Sequence, residues 1–113
     1  MKVIIAGSRT FTDGAALAMA ISAANFSITQ IVSGGAKGVD RLGENYANDN
    51  GLQIKRFAPD WKRFGRAAGP IRNRHMAEYA DALIAMWDGQ SRGTKSMISE
   101  ARKNGLKVHV HEL

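Results

Sequence analysis

The chain has 113 residues, enough for one domain with a real core and too few for two. Its 44% hydrophobic and 23% charged residues match an ordinary soluble globular protein, and the absence of cysteine excludes a disulfide framework and thiolate chemistry. No apolar run approaches the ~18 residues of a membrane span, so no membrane partner is expected. The net charge of +6 is concentrated: Lys55, Arg56, Lys62, Arg63, Arg66, Arg72 and Arg74 face one nearby acid, Asp60, an excess equal to that of the whole chain. Such a segment serves either as solvated surface or as an attractor of polyanions and phosphorylated ligands.

In chain order, the apolar start Met1–Gly7 is too short for a signal peptide and reads as a first strand over Lys2–Ala6, with the cytoplasm as the expected compartment. A polar loop, Gly7–Asp13, supplies Thr12 or Asp13 to cap a helix running to about Ala24. Thr29–Ser33 is the second strand. Val39, Leu42 and Tyr46 share a face of the second helix, which ends by Gly51. Gln53–Phe57 is the third strand, and Ala58–Gly69 an irregular connection. Pro70 sits at the first turn of a third helix that runs through Tyr79. Ala82–Trp87 is a strongly apolar, central strand. A last helix around Thr94, Met97, Ile98 and Ala101 closes at Gly105, and Lys107–His111 is an edge strand.

Strict alternation of strand and helix predicts an α/β, Rossmann-like doubly wound parallel sheet of five strands and four helices in a single domain, 1–113. The loops after the first four strands then lie at one edge of the sheet, where ligands bind in such folds. Among them Ser33-Gly34-Gly35-Ala36-Lys37-Gly38-Val39-Asp40 links a strand to a helix start, a setting suited to phosphate. By itself it is equally a steric turn.

Gly7-Ser8-Arg9, the Ser33–Asp40 turn, Asp60-Trp61, Ala68-Gly69-Pro70-Ile71-Arg72-Asn73 and Ser91-Arg92-Gly93-Thr94 together resemble the YspA/YpsA-related branch of the SLOG superfamily, over nearly the whole chain. That superfamily includes DprA (Smf) and the Lonely Guy phosphoribohydrolases. The resemblance implies a Rossmann-like fold and a site for a nucleotide or nucleotide-derived ligand, ADP-ribose-like molecules among them. It also implies phosphates held by Ser33–Gly38, and Asp40 meeting ribose or orienting the loop. Arg72 matches a catalytic arginine of the phosphoribohydrolases, and Gly93-Thr94 matches the end of their Pro-Gly-Gly-x-Gly-Thr-x-x-Glu motif. Met97 stands where that motif has its catalytic glutamate, with Glu100 one helical turn further on.

The expected ligand-binding residues are therefore Gly7, Ser8, Arg9, Ser33, Gly34, Gly35, Ala36, Gly38, Asp40, Asp60, Arg72, Asn73, Ser91, Gly93 and Thr94. Arg72, Asp40 and Glu100 are the catalytic set if there is turnover. Each has a plainer alternative. Arg72 and Asn73 also suit a helix start, Asp40 suits the helix dipole, and Thr94 suits an N-cap. Trp61 and Phe64 read as cover for the core rather than as platforms for a base. Met19, Met76, Met86 and Met97 read as core, His75 as surface, and His109 and His111 as the exposed face of an edge strand without a third metal ligand. No cofactor and no metal is expected.

Three functions follow. The first is binding of a nucleotide or derivative as a sensor, carrier or sequestering protein. The second is hydrolysis of a nucleotide N-glycosidic bond, and the third is DprA-like single-stranded nucleic-acid binding through Lys55–Arg74. A homodimer is expected by family analogy.

Overall fold

A computed structural model describes residues 1–113. Five strands, β1 (Lys2–Gly7), β2 (Gln30–Ser33), β3 (Gln53–Arg56), β4 (Ala82–Trp87) and β5 (Lys107–Glu112), form one all-parallel sheet in the order β3-β2-β1-β4-β5. Four helices of eleven or twelve residues connect them: α1 (Gly14–Ala24), α2 (Val39–Asp49), α4 (Ala68–Tyr79) and α5 (Arg92–Lys103). The connection expected to be irregular is largely helical. It contains a single turn, α3 (Trp61–Phe64), and a 3-10 turn (Gly65–Ala67) that runs into α4. Pro70 sits in the first turn of α4, as expected, where N–H groups have no helical partner to lose.

Alternation along the strands sends successive side chains to opposite faces, and each face has its own helices. Val3 and Ile5 of β1 pack with Leu17, Ala20, Val39 and Ala47 of α1 and α2. Ile4 and Ala6 pack with Met76, Ala77, Met97, Ile98 and Ala101 of α4 and α5. Strands β1 and β4 are buried along their length, whereas the edge strand β3 is mostly exposed. Met76, Met86 and Met97 are core, but Met19 is 68% exposed, because its position on α1 points away from the sheet. His109 and His111 are half-buried on β5, not exposed as a bare edge would leave them.

The chain leaves β1 toward β2 and β3 on one side, then crosses to β4 and β5 on the other. The connections after β1 and β4 therefore diverge, which opens a crevice at the carboxyl ends of these two adjacent strands. The site is built there.

Candidate functional site

Strand β2 ends at Ser33, and a short turn carries the chain into α2. Gly38 has φ +73°, and a Cβ there would strike the Ser8 carbonyl and the Arg9 backbone, so the loops after β1 and β2 meet main chain to main chain. The Val39 N–H donates to the Ser8 carbonyl at 3.1 Å. A Cβ on Gly34 would lie 2.5 Å from Arg72 Nη1 and 2.8 Å from Asp40 Oδ2. Only a hydrogen fits between these two groups. Ser33, fully buried, donates to Glu44 Oε2 at 2.7 Å and accepts from the Gly35 N–H at 3.0 Å. Asp40 Oδ2 accepts from the Ala36 N–H at 3.2 Å. Ser33 and Asp40 thus shape the turn from within.

The start of α4 joins two loops. Arg72 Nη1 donates to the Gly34 carbonyl at 2.7 Å, and its Nε donates to Asn73 Oδ1 at 3.0 Å. Asn73 Nδ2 in turn reaches the Gly93 carbonyl at 3.3 Å and Ser96 Oγ at 3.4 Å. After β4, Asp88 accepts from the Gln90 and Ser91 N–H groups, each at 2.8 Å, and these bonds hold its carboxyl below the usual range. Ser91, not Thr94, is the N-cap of α5, accepting from the Thr94 N–H at 3.4 Å. The Thr94 hydroxyl lies 3.0 Å from Ser91 Oγ within the buried first turn. After β1, Ser8 Oγ accepts from the Thr10 N–H at 3.2 Å.

Together these loops enclose a cavity of about 370 Å³, lined by Gly7, Ser8, Arg9, Thr10, Ala36, Asp40, Arg72, Asn73, Ser91, Gly93 and Thr94, with the core residues Ala6, Met76 and Met97 at its base. A second space of about 620 Å³ is bordered by Gly34, Gly35, Lys37, Pro59 and Trp61. A third, of about 270 Å³, is bordered by Trp61, Arg66, Gly69, Arg92 and Ser96. Arg9 and Arg72 line all three, so the spaces form one cleft with two arginines at its waist.

The cleft is cationic. Arg9, Lys37, Arg66, Arg72 and Arg92 line it, against the single carboxylate of Asp40. The two ion pairs of the chain, Arg56–Glu44 and Lys103–Glu100, lie elsewhere. Burial pushes the Asp40 carboxyl above its ordinary value, opposed by the Ala36 N–H and by the charge of Arg72. Burial also lowers Arg72, although a guanidinium remains protonated.

Of the residues expected at the site, most line this cleft, and four do not. Ser33 and Gly38 lie behind the turn and shape it. Asp60 caps the α3 turn, accepting from the Arg63 N–H at 3.1 Å, and lines none of the three spaces. Glu100 sits roughly 12 Å along α5 from Arg92, at 1.5 Å rise per residue, and pairs with Lys103 at 3.7 Å. Helix geometry carries it toward the opposite end of the sheet, so it does not join Arg72 and Asp40. Trp61 and Phe64 do not cover the core: they are 52% and 37% exposed, held outward by the α3 turn. Thr10, Lys37, Arg66 and Arg92 also line the cleft and were not singled out. Thr10 follows Arg9, Lys37 and Arg92 lie inside the Ser33–Asp40 and Ser91–Thr94 motifs, and Arg66 belongs to the basic segment Lys55–Arg74. Nowhere do three His, Cys, Asp or Glu side chains come together as metal ligands.

Comparison with known proteins gives three findings. The chain superposes on DNA processing protein A (DprA) from Streptococcus pneumoniae with a TM-score of 0.74 and 22% identity, covering 95% of this chain and 48% of that one. It therefore spans about half of DprA, and the likeness is one of fold. Over 117 residues it is 32% identical to the Gene 61 protein of Mycobacterium phage D29, covering 95% of this chain and 93% of its relative. Residues 1–64, more than half of the chain, match the profile of the YAcAr family. The chain belongs to this YspA, cpYpsA-related SLOG family.

Proposed function

We propose that the cleft binds a nucleotide or nucleotide-derived ligand, of which ADP-ribose is one form, and that the protein acts as a sensor, carrier or sequestering protein. One observation carries this reading. Arg9, from the loop after β1, and Arg72, from the start of α4, line every part of the cleft with no carboxylate of the chain paired to either. Guanidinium forks match phosphate oxygens in charge and geometry. The α2 and α5 N-termini open beside them and add main-chain donors. Calorimetry against AMP, ADP-ribose, NAD and cyclic nucleotides tests the proposal. Binding by wild type and its loss in Arg72→Ala are expected, and no heat from any member of the panel would overturn it.

A second reading, hydrolysis of a nucleotide N-glycosidic bond, is supported by a buried carboxyl of raised pKa and a half-buried arginine that both flank Gly34 without forming an ion pair. Asp40 then handles the proton or the oxocarbenium charge, and Arg72 the phosphoribosyl group. Glu100 has no part in it. Release of free base from nucleoside monophosphates, abolished in Asp40→Asn, is its signature. A DprA-like nucleic-acid role rests on the shared fold and on exposed Lys55, Lys62, Arg63, Arg66 and Arg74. It ranks third, since Arg56 of the same segment is already paired with Glu44. Single-strand affinity falling steeply with salt would favour it.

A further inference from the structure

Trp61 is the largest apolar side chain that the fold leaves in the open, and it stands at the cleft. It borders both outer spaces, and each of these is also lined by Arg9 and Arg72. Its placement is ordered by local structure. Asp60 caps the turn that carries it, and Gly65, at φ +54°, ends that turn. The far edge of its ring, Cη2, lies over the first turn of α4, 3.8 Å from where a Cβ on Gly69 would be. Phe64, its neighbour on the turn, is covered by Arg63, whose Cζ is 5.0 Å from the ring centroid. Trp61 has no such cover: no cation and no other aromatic ring of the chain stacks on it. A half-exposed indole beside two unpaired arginines suits a flat group attached to an anion.

The inner cavity offers different chemistry. Ser8, Thr10, Ser91 and Thr94 bring hydroxyls, Asn73 an amide, and Asp40 a carboxyl. These are donors and acceptors suited to a sugar or another polyol, not to a stacked ring. The cleft is thus graded along its length, from an aromatic face through two cations to a hydroxyl-lined chamber.

We infer that Trp61 is the platform for the base of the bound nucleotide, which lies with its base outward on Trp61, its phosphates between Arg9 and Arg72, and any polyol arm in the inner cavity. This rests on the reading of the cleft as a nucleotide site. It makes Trp61 a specificity residue: it distinguishes a nucleotide from a bare phosphate and leaves the phosphate grip unchanged.

The test compares ADP with pyrophosphate by calorimetry on wild type, Trp61→Ala and Trp61→Phe. The two probes differ by the adenosine alone. Wild type should prefer ADP by about ten-fold or more, the range of base–aromatic stacking. Trp61→Ala should shrink that preference by about ten-fold while pyrophosphate affinity stays within about two-fold, and Trp61→Phe should restore most of it. An ADP preference that survives Trp61→Ala would overturn the inference and leave the nucleotide site standing. Equal loss of both probes in Trp61→Ala, not recovered by Trp61→Phe, would also overturn it, by showing that Trp61 holds the cleft's shape. If neither probe binds wild type, the reading of the cleft itself fails and takes this one with it.

Discussion

The two ends of the sheet handle polarity in opposite ways. At the amino edge, polar groups are exposed and paired locally: Asp81 accepts from the Lys2 N–H at 2.8 Å, and the Met1 ammonium donates to the Ser27 carbonyl at 2.6 Å. At the carboxyl edge, polar side chains go inside. Ser33, Asp40, Asn73 and Thr94 are the four buried polar side chains of the protein, and all four belong to the loops or helix starts around the cleft. The contrast is sharpest between two arginines of the same basic segment. Arg56 is solvent-exposed and pairs with Glu44 through both Nε and Nη2. Arg72 is half-buried, donates to uncharged oxygens, and has no carboxylate within ion-pairing distance. Withdrawing a cation from water is unfavourable, and Asp40, beyond ion-pairing distance, offsets that cost at Arg72 only in part. An anion supplied from outside would offset that cost at Arg72 and has nothing to offset at Arg56.

The largest effect should come from breaking the unpaired member of this comparison. Arg72→Ala removes the charge and the link between the Gly34 carbonyl and Asn73. Loss of about 1.5–3 kcal/mol, roughly 10- to 150-fold in affinity for ADP-ribose or ADP, is expected from charge-assisted hydrogen bonds. Arg72→Lys should recover only part, since a single ammonium does not reproduce the planar fork. Equal affinity in Arg72→Ala would end the contrast with Arg56. Next in size is Gly34→Ala. Its methyl would lie 2.5 Å from Arg72 Nη1, so the guanidinium or the turn must move. Thermal melts should show a cost of about 1–3 kcal/mol, as for overpacked interiors. Ligand affinity should fall with it, whereas Gly51→Ala, in open space, should leave affinity unchanged.

Much of this arrangement is legible in the chain itself. Alternation of apolar strands with helical repeats fixes the parallel sheet, and Ala82–Trp87 is bounded by the sequence pattern as it is in the structure. The polar, glycine-bearing loops mark the edge at which the cleft lies, because a parallel sheet must bring the loops after its strands to one side. What stays hidden depends on direction rather than composition. Trp61 looks like core because aromatics usually are, and only the capped turn at Asp60 shows that it points outward. Glu100 looks near the motif in sequence, but helical rise carries it away from the cleft. The pairing of Arg56 with Glu44 joins β3 to α2 across twelve positions, so the charge segment reads as uniform when it is not.

A smaller effect, with a definite sign, belongs to Asp40. Burial raises its pKa, so the folded protein holds this proton more tightly than the unfolded chain. The carboxyl's contribution to stability is therefore most favourable below its ordinary value of 3.8 and declines as pH rises through the folded pKa. Asp40→Asn keeps an acceptor for the Ala36 N–H and removes the titration. Its stability should gain on wild type as pH is raised from about 4 to about 7 in thermal melts. A gain in the opposite direction would mean that Arg72 and the Ala36 N–H outweigh burial.

The smallest effect should come from the paired arginine's side of the comparison, through Glu44→Gln. The hydrogen bond from Arg56 is the main cause holding the Glu44 carboxyl below its ordinary value, reinforced by Ser33. Its stabilisation is thus present above the ordinary value of 4.5 and lost as pH falls through the lowered pKa. Arg56 is exposed and the pair is screened by water, so Glu44→Gln should cost less than about 1 kcal/mol near neutral pH. The glutamine oxygen still accepts from Ser33, so the turn keeps its shape. Affinity for ADP should then change by less than about two-fold, because a surface pair contributes little at a distance through solvent. A loss as large as that of Arg72→Ala would show that the two arginines act as one field, with Glu44 tuning the cleft from outside.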